Sequence, residues 1–335
     1  MLVASALACR HAAQPPSPPE SSPFRAVAAP IQDDLGYALA WSPDGKILAV
    51  AHLGVRSFEL SVIRADDGVV RSRREICDAA FDVHALCFRP DGTAVATGGD
   101  DGVVRAFPTE DGAPTSLKVG EGITGCAWTD AGLVLSGAGG SVTAVEAGRT
   151  WKAHEGRANA VVAANGGVLT VGDDGMMREW SLQGGERRSW RVGGFLNDVQ
   201  VHEGVAVVSR SAIPARRTPA LYEDERAGRY PAVSSENAPV VVRLDGEGMI
   251  AMAGHRGAVV SAALWKGSVV STGWDDSVRV FDASTGKARG ALALPWLGWR
   301  VRVSPDGKRL AVLGWARPPA PFRSGQPTVS LYAWE

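Results

Sequence analysis

The chain has 335 residues, with 35 basic and 36 acidic side chains, and therefore almost no net charge. This balance excludes a generally basic surface of the kind that binds nucleic acid. No stretch of about 20 apolar residues occurs, which excludes a membrane-spanning helix. Forty glycines and twenty prolines without a collagen-like period are typical of many turns between short strands. The composition predicts a soluble, turn-rich β protein.

Residues 1–23 are predicted to form a tail outside the folded domain, because their Pro/Ser-rich second half cannot pack. The run Ala6-Leu7-Ala8-Cys9 resembles the lipobox of bacterial lipoproteins, which makes Cys9 a candidate lipidation site. Ala6 stands where Leu is usual, and the apolar region is short for a signal peptide. A start codon assigned too far downstream would explain the short region. Two alternatives stay open: a lipid anchor to the bacterial cell envelope, or an untargeted tail on a cytoplasmic protein.

Residues 24–335 divide into seven similar units. Their first strands are predicted to begin near Tyr37, Val83, Ile123, Asn159, Asn197, Val259 and Arg300. Most spacings lie between 36 and 46 residues, close to the ~40–45 residues of a four-stranded propeller blade. Several units open with strand, turn and strand, and in the Ser-Pro-Asp-Gly turns Gly45 and Gly307 are expected to adopt positive φ.

A polar and aromatic pattern recurs in the fourth and sixth units. In each, a histidine is followed at offsets of 16, 20 and 26 residues by a hydroxyl residue, an aspartate and an aromatic residue. The two sets are His154, Thr170, Asp174 and Trp180, and His255, Ser271, Asp275 and Phe281. The stretches GHRG at 254–257, WDDSVRVFD at 274–282 and GDDGMMREW at 172–180 resemble the WD40 repeat, which forms a β-propeller. The resemblance covers residues 24–335, although no unit ends in Trp-Asp.

This resemblance implies an all-β fold, a seven-bladed WD40-like β-propeller. In that family the four patterned residues form a hydrogen-bonded chain through a blade. The implied members are His154, Thr170, Asp174 and Trp180, together with His255, Ser271 and Asp275; Phe281 lacks the indole N–H of the last link. A catalytic triad is disfavoured, because the set recurs with the blade period inside a sheet. The last unit shows only three strands, so the orphan segment 24–31 is expected to close it as the outer strand.

Two long insertions depart from the repeat, at 211–238 in the fifth unit and 316–327 in the seventh. Both connect a second to a third strand, so both are expected on the face that carries the Gly-His connections, flanking the sixth blade. Long loops on a rigid scaffold commonly bind partners, and Arg and Tyr suit such sites. The candidate partner-binding residues are Arg216, Arg217, Tyr222, Arg226, Arg229, Tyr230, Arg317, Phe322 and Arg323.

The favoured function is a non-enzymatic interaction scaffold for a protein or peptide, with a monomeric fold and no catalytic, cofactor or metal residues. The alternative is a quinoprotein-like or lactonase-like propeller with ligand-binding or enzymatic activity at the channel mouth, since FDASTGK at 281–287 resembles a quinoprotein turn. Convergent His, Asp or Glu at the mouth would favour that alternative, and apolar or Arg groups would favour the scaffold.

Cys77, Cys87 and Cys126 lack metal-ligand spacing and are expected as small core residues, at least one of them unpaired.

Overall fold

The computed structural model describes residues 24–32, 35–54, 56–214, 234–246, 248–315 and 327–334. Within these ranges the chain forms 28 strands in seven antiparallel four-stranded sheets. No helix of these residues is long and apolar enough to cross a membrane.

Each sheet is one blade, and its strands follow in chain order from the channel outward, except in the seventh blade. The first three blades contain β2 (Leu35–Trp41), β3 (Ile47–Leu53), β4 (Ser57–Arg64) and β5 (Val70–Asp78); β6 (Val83–Phe88), β7 (Ala94–Gly99), β8 (Val103–Pro108) and β9 (Thr115–Lys118); and β10 (Ile123–Thr129), β11 (Gly132–Gly137), β12 (Ser141–Ala144) and β13 (Arg149–Lys152). The next three contain β14 (Ala158–Ala164), β15 (Gly167–Gly172), β16 (Met176–Trp180) and β17 (Glu186–Arg191); β18 (Phe195–His202), β19 (Val205–Ser211), β20 (Ala238–Arg243) and β21 (Met249–Ala251); and β22 (Val259–Trp265), β23 (Ser268–Gly273), β24 (Ser277–Asp282) and β25 (Ala288–Ala293). The seventh contains β26 (Leu297–Val303), β27 (Arg309–Trp315), β28 (Pro327–Trp334) and, outermost, β1 (Phe24–Gln32).

The first strand of every blade contacts the first strand of the next, and β26 contacts β2, so the ring closes. Apolar side chains from facing sheets pack between neighbouring blades and form the core there. The seven-bladed β-propeller expected from the sequence is therefore confirmed.

The tight turns follow from their sequence. Gly45 and Gly307 have φ of +69° and +64°, as the Ser-Pro-Asp-Gly motif predicts. In each turn the serine hydroxyl donates to the aspartate two residues later: Ser42 to Asp44 at 2.7 Å and Ser304 to Asp306 at 2.6 Å. Side-chain and backbone preferences therefore specify the same hairpin.

The N-terminal strand closes the last blade, as strand accounting predicts. β1 pairs antiparallel with β28, from Phe24 opposite Trp334 to Gln32 opposite Pro327. The Phe24 side chain is buried, and its ring stacks on Trp265 with centroids 6.0 Å apart. The ends of the described chain thus share one sheet, which leaves the seventh blade with its full set of four strands.

Tryptophan side chains form hydrogen bonds across the contact between the seventh and first blades. The Trp41 indole N–H donates to the Arg302 carbonyl at 3.1 Å, and the Trp299 indole donates to the Tyr37 carbonyl at 3.0 Å. Trp315 makes a third indole bond to the backbone of the first blade. Because each bond joins residues from opposite ends of the chain, the contact between these blades combines apolar burial with directional hydrogen bonds.

Two of the three cysteines in the propeller depart from the expectation of simple core residues. Cys87 of β6 and Cys126 of β10 form a disulfide, with their Cα atoms 5.9 Å apart, whereas Cys77 is buried and unpaired. The expectation is wrong for the bonded pair, because inner strands of neighbouring blades lie side by side and bring together residues about one repeat apart.

Candidate functional site at the channel mouth

One end of the central channel opens at a cavity of about 170 Å³. The cavity lies where the inner strands begin and where second strands turn into third strands. Its lining differs from side to side. Blades two and four contribute Asp82, His84, Asp100, Arg157 and Asp173, whereas blades seven and one contribute Trp299, Arg300, Trp315 and Tyr37. We call this cavity and its lining the channel mouth.

The acidic side of the channel mouth is internally hydrogen-bonded. His84 Nε2 lies 2.9 Å from Asp100 Oδ1, and this bond lowers the pKa of the Asp100 carboxyl despite partial burial. Asp173 accepts a hydrogen bond of 2.8 Å from the Asn159 amide. One ligand atom from each of Asp82, His84 and Asp100 lies within 4.8 Å of the other two, a spacing that a cation could bridge. His84 and Asp100 bind each other within this group.

The opposite side of the channel mouth is aromatic and cationic. The rings of Trp299 and Trp315 stack with centroids 4.2 Å apart, and Tyr37 packs against Trp315 at 5.2 Å. The Arg300 guanidinium lies over the Trp299 ring, 5.3 Å from its centroid. Burial lowers the pKa of Arg300 to about 10; Asp198 opposes this shift, whereas Arg302 and Arg157 add to it. This side therefore offers a desolvated cation on an aromatic platform.

The two long connections leave the propeller at this site. Pro214, the last described residue before the first of them, and Trp315, the last before the second, both line the channel mouth. Ile213 packs against the hydrophobic cluster that contains Trp299 and Trp315. The base of the first connection is tied together, since the Ala212 N–H donates to the buried Asn237 side chain at 3.0 Å.

The nine partner-binding candidates and the lipidation candidate lie outside the described residues. They are Arg216, Arg217, Tyr222, Arg226, Arg229, Tyr230, Arg317, Phe322, Arg323 and Cys9. The proposed tail at 1–23 lies outside them as well. What the structure does describe is the rim from which the two connections depart.

The patterned residues of the fourth blade are brought together below the same face. His154 Nδ1 lies 2.9 Å from Asp174 Oδ1 and His154 Nε2 lies 2.8 Å from Thr170 Oγ1. The Trp180 indole N–H donates to Thr170 Oγ1 at 3.0 Å. Burial alone would raise the pKa of Asp174, but hydrogen bonds from His154 and Arg178 outweigh it and hold that pKa far below its usual range.

The sixth blade has a shorter version of the same arrangement. His255 Nδ1 lies 3.0 Å from Asp275 Oδ1 and His255 Nε2 lies 2.7 Å from Ser271 Oγ. Phe281 is fully buried and packs near the His255 ring, where it adds no hydrogen bond. Burial would raise the pKa of Asp275, yet the attraction and hydrogen bond of His255 lower it far below its usual range. Both histidines are buried inside their blades, so neither is presented to a substrate.

A further cluster of hydrogen-bonded polar side chains, which the sequence pattern does not reveal, connects the inner strands of blades five, six and seven. Arg302 donates to both carboxylate oxygens of Asp198, at 2.7 and 3.0 Å, and the Ser261 hydroxyl donates to the same carboxylate at 2.7 Å. We call Asp198, Ser261 and Arg302 the channel brace. The available signal was the run Trp299 to Arg302, which places three large aromatic or cationic residues, Trp299, Arg300 and Arg302, on a first strand that is mostly small and apolar in other blades.

Comparisons with known proteins agree with this architecture. Residues 74–107 match the family model "WD domain, G-beta repeat". "Telomerase protein component 1" of Mus musculus is 28% identical over 248 residues, 66% of this chain, and the Rattus norvegicus protein of the same name is 27% identical over the same length. The chain spans 8% of the length of these curated relatives. The solved structure "Crystal structure of WD40 beta propeller domain of Doa1" has a TM-score of 0.67 at 14% identity, covering 93% of this chain and 97% of that one.

The protein is a seven-bladed β-propeller, and its fold matches that of a solved WD40 propeller. The segment 74–107 matches the WD40 repeat model, and the resemblance seen in the sequence is confirmed.

Proposed function

We propose that this propeller is a non-enzymatic interaction scaffold that binds a protein or peptide at the channel mouth and at the two long connections around it. WD40 propellers typically serve as scaffolds, and function on such a fold depends on the site and not on the repeat. The observation that carries the proposal is the coincidence of Arg300 and the Trp299–Trp315 stack with the points where both connections depart. Trp and Arg are the side chains most enriched at binding hot spots.

The relatives give limited support. Two of them are named as components of an assembly, telomerase, and each contains far more chain than this propeller. A nucleic-acid partner is disfavoured, because the net charge is −1 and the channel mouth carries three aspartates against two arginines, Arg157 and Arg300.

The test replaces residues 215–233 and 316–326, separately and together, by four-residue Gly-Ser turns. We expect all three variants to retain the melting temperature of the parent and to lose proteins that the parent recovers from a lysate of its source, quantified by mass spectrometry. Asp130→Ala, in the exposed β10–β11 turn at the other end of the blades, is the matched control and should recover the parent set. Unchanged recovery by the double replacement would contradict the proposal.

A quinoprotein-like or lactonase-like function is the second candidate. One observation favours it, namely the convergence of Asp82, His84 and Asp100 at the channel mouth. The scaffold is preferred because His84 and Asp100 bind each other. A rise in melting temperature with Mn²⁺ or Zn²⁺ that disappears in Asp100→Asn would reverse this preference.

The N-terminal segment carries a separate proposal. Residues 1–23 form a tether to the propeller, and Cys9 is lipidated if the native chain has a longer leader, which would place the protein at the cell envelope. Mass spectrometry of the N-terminal peptide from the native source decides this: a diacylglyceryl adduct on Cys9 supports an anchor, and an unmodified Cys9 supports an untargeted tail.

A further inference from the structure

Arg300 is a half-buried cation without a counter-ion among the described residues. Its guanidinium donates to the Trp299 carbonyl at 3.1 Å and lies over the Trp299 ring. The side chain keeps partial exposure where it lines the channel mouth, and protein surrounds it elsewhere. A guanidinium has five N–H donors, and one backbone acceptor leaves most of them available.

The carboxylate that attracts Arg300 already has its full set of hydrogen-bond donors. Asp198 accepts two bonds from Arg302, one from the Ser261 hydroxyl and one from the Val199 backbone N–H at 3.0 Å. Four donors saturate a carboxylate, so Asp198 raises the pKa of Arg300 from a distance without pairing with it. The channel brace thus neutralises Arg302 and leaves the charge of Arg300 uncompensated.

An uncompensated charge of this kind costs folding free energy, because desolvation is not offset by a partner. Groups held in such an unfavourable environment inside a cleft are candidates for function. Removal of Arg300 would therefore leave the fold intact or stabilise it, whereas removal of a structural ion pair would weaken it. This difference separates a binding role from a structural one.

We propose that Arg300 is the anchor of an anion subsite in the channel mouth, and that the bound partner inserts an acidic side chain, carboxylate or phosphorylated, onto its guanidinium. The proposal rests on the proposed function and specifies its ligand chemistry. The guanidinium fork suits bidentate recognition of carboxylate and phosphate. A cavity of about 170 Å³ admits one side chain and excludes a folded domain.

The channel mouth also limits what carries the acid. The facing side carries three aspartates, Asp82, Asp100 and Asp173, against one arginine, Arg157, so it repels a continuous polyanion and a nucleic-acid backbone is a poor ligand. A peptide with one acidic residue and neutral or basic neighbours fits both sides. The Trp299–Trp315 stack borders the subsite and favours apolar or aromatic residues next to the acid.

The experiment uses the full chain on arrays of immobilised nonapeptides with random flanks and a fixed central residue, in matched pairs of Glu with Gln, Asp with Asn, and phosphoserine with Ser. We expect acidic centres to retain about tenfold more wild-type protein than their neutral partners, as charge-assisted bonds allow. Arg300→Gln should bring every ratio to about one by the same argument. Arg71→Gln, an exposed arginine on the outer strand β5, is the matched loss of charge and should keep the wild-type ratios.

Thermal denaturation accompanies the array, and Arg300→Gln should melt at or above the wild-type temperature. Should it fail to fold, Arg300→Lys keeps the charge without the fork and is expected to give a reduced, non-zero acid preference. The ratio of phosphoserine to glutamate signals identifies the source of the anion. Equal retention on acidic and neutral centres, or a preference that survives in Arg300→Gln, overturns the subsite. Peptide binding without acid preference overturns the subsite alone and leaves the scaffold function to the connection-shortening test.

Discussion

Arg302 of β26 and Asp198 of β18 form a two-point ion pair across the channel brace, although they are 104 positions apart in the chain. Each strand begins a different blade, and Ser261 of the intervening blade donates to the same carboxylate. Because the Asp198 side chain is almost fully buried, the pair is held away from most of the solvent. The pair links three blades through side chains and also occupies the carboxylate that attracts Arg300.

Asp198→Asn is expected to lower the free energy of unfolding by about 3 kcal/mol, at the low end for a broken buried pair because Arg302 keeps some exposure. Urea denaturation followed by tryptophan fluorescence measures this change. The double variant Asp198→Asn/Arg302→Gln also removes the Arg302 charge that would otherwise lack a partner, and it should recover part of the lost stability. An Asp198→Asn variant as stable as the wild type would contradict the brace.

The blade networks carry the next prediction. Asp174→Asn and Asp275→Asn each replace a carboxylate that binds a buried histidine, so each is expected to cost about 1–3 kcal/mol of stability. Asp111→Asn, in the exposed turn between β8 and β9, provides a control of equal chemistry and should be neutral. Melting temperatures of the three variants make the comparison. If both network variants melted like the wild type, these residues would not be stabilising ties.

The same two carboxyls predict acid sensitivity. Their pKa values are depressed in the folded protein, so the stabilisation is complete above the unfolded pKa of about 3.9 and is lost as pH falls through the folded values. Between neutral pH and strong acid, the melting temperature of the wild type should therefore fall by more than that of the Asp174→Asn/Asp275→Asn double variant. The two curves should converge as the pH falls below about 4, where protonation removes the difference. Parallel curves would show that other groups control acid unfolding.

The fold was largely predictable because the blade is a local unit repeated seven times. Turn glycines such as Gly45, and strand spacing near 40 residues, are properties of short segments and are visible in one sequence. The offsets that place His154 near Asp174 are also local, since all lie within one blade. These features depend on sequence separation alone, and the ring then follows from repetition.

The channel mouth and brace could not be predicted in the same way. Arg300 and Asp198 lie in different blades, and Cys87 reaches Cys126 only because their inner strands are neighbours. Such contacts depend on which residue of each first strand points into the channel, and side-chain identity there is not constrained by the repeat. The site candidates taken from the long insertions rest on length and composition, and they remain predictions.

Closure of the seventh blade by β1 gives the last prediction. The Phe24 ring stacks on Trp265 of the sixth blade, and its centroid lies 6.1 Å from that of Tyr332. Phe24 therefore packs β1 against two other strands. Phe24→Ala should cost about 3–5 kcal/mol, as for other buried Phe truncations. Deletion of residues 1–22 retains Phe24 and should leave the urea midpoint unchanged.

Deletion of 1–32 removes the whole of β1 and leaves β28 as an unpaired edge beside exposed apolar residues. That variant should unfold at markedly lower urea and form aggregates that light scattering detects. The two deletions are matched controls, because the segment between their end points is β1 alone together with Pro23. The prediction requires their stabilities to differ, since a propeller closed by some other contact would tolerate both equally. Equal urea midpoints would therefore show that pairing of β1 with β28 is not what holds the ring together.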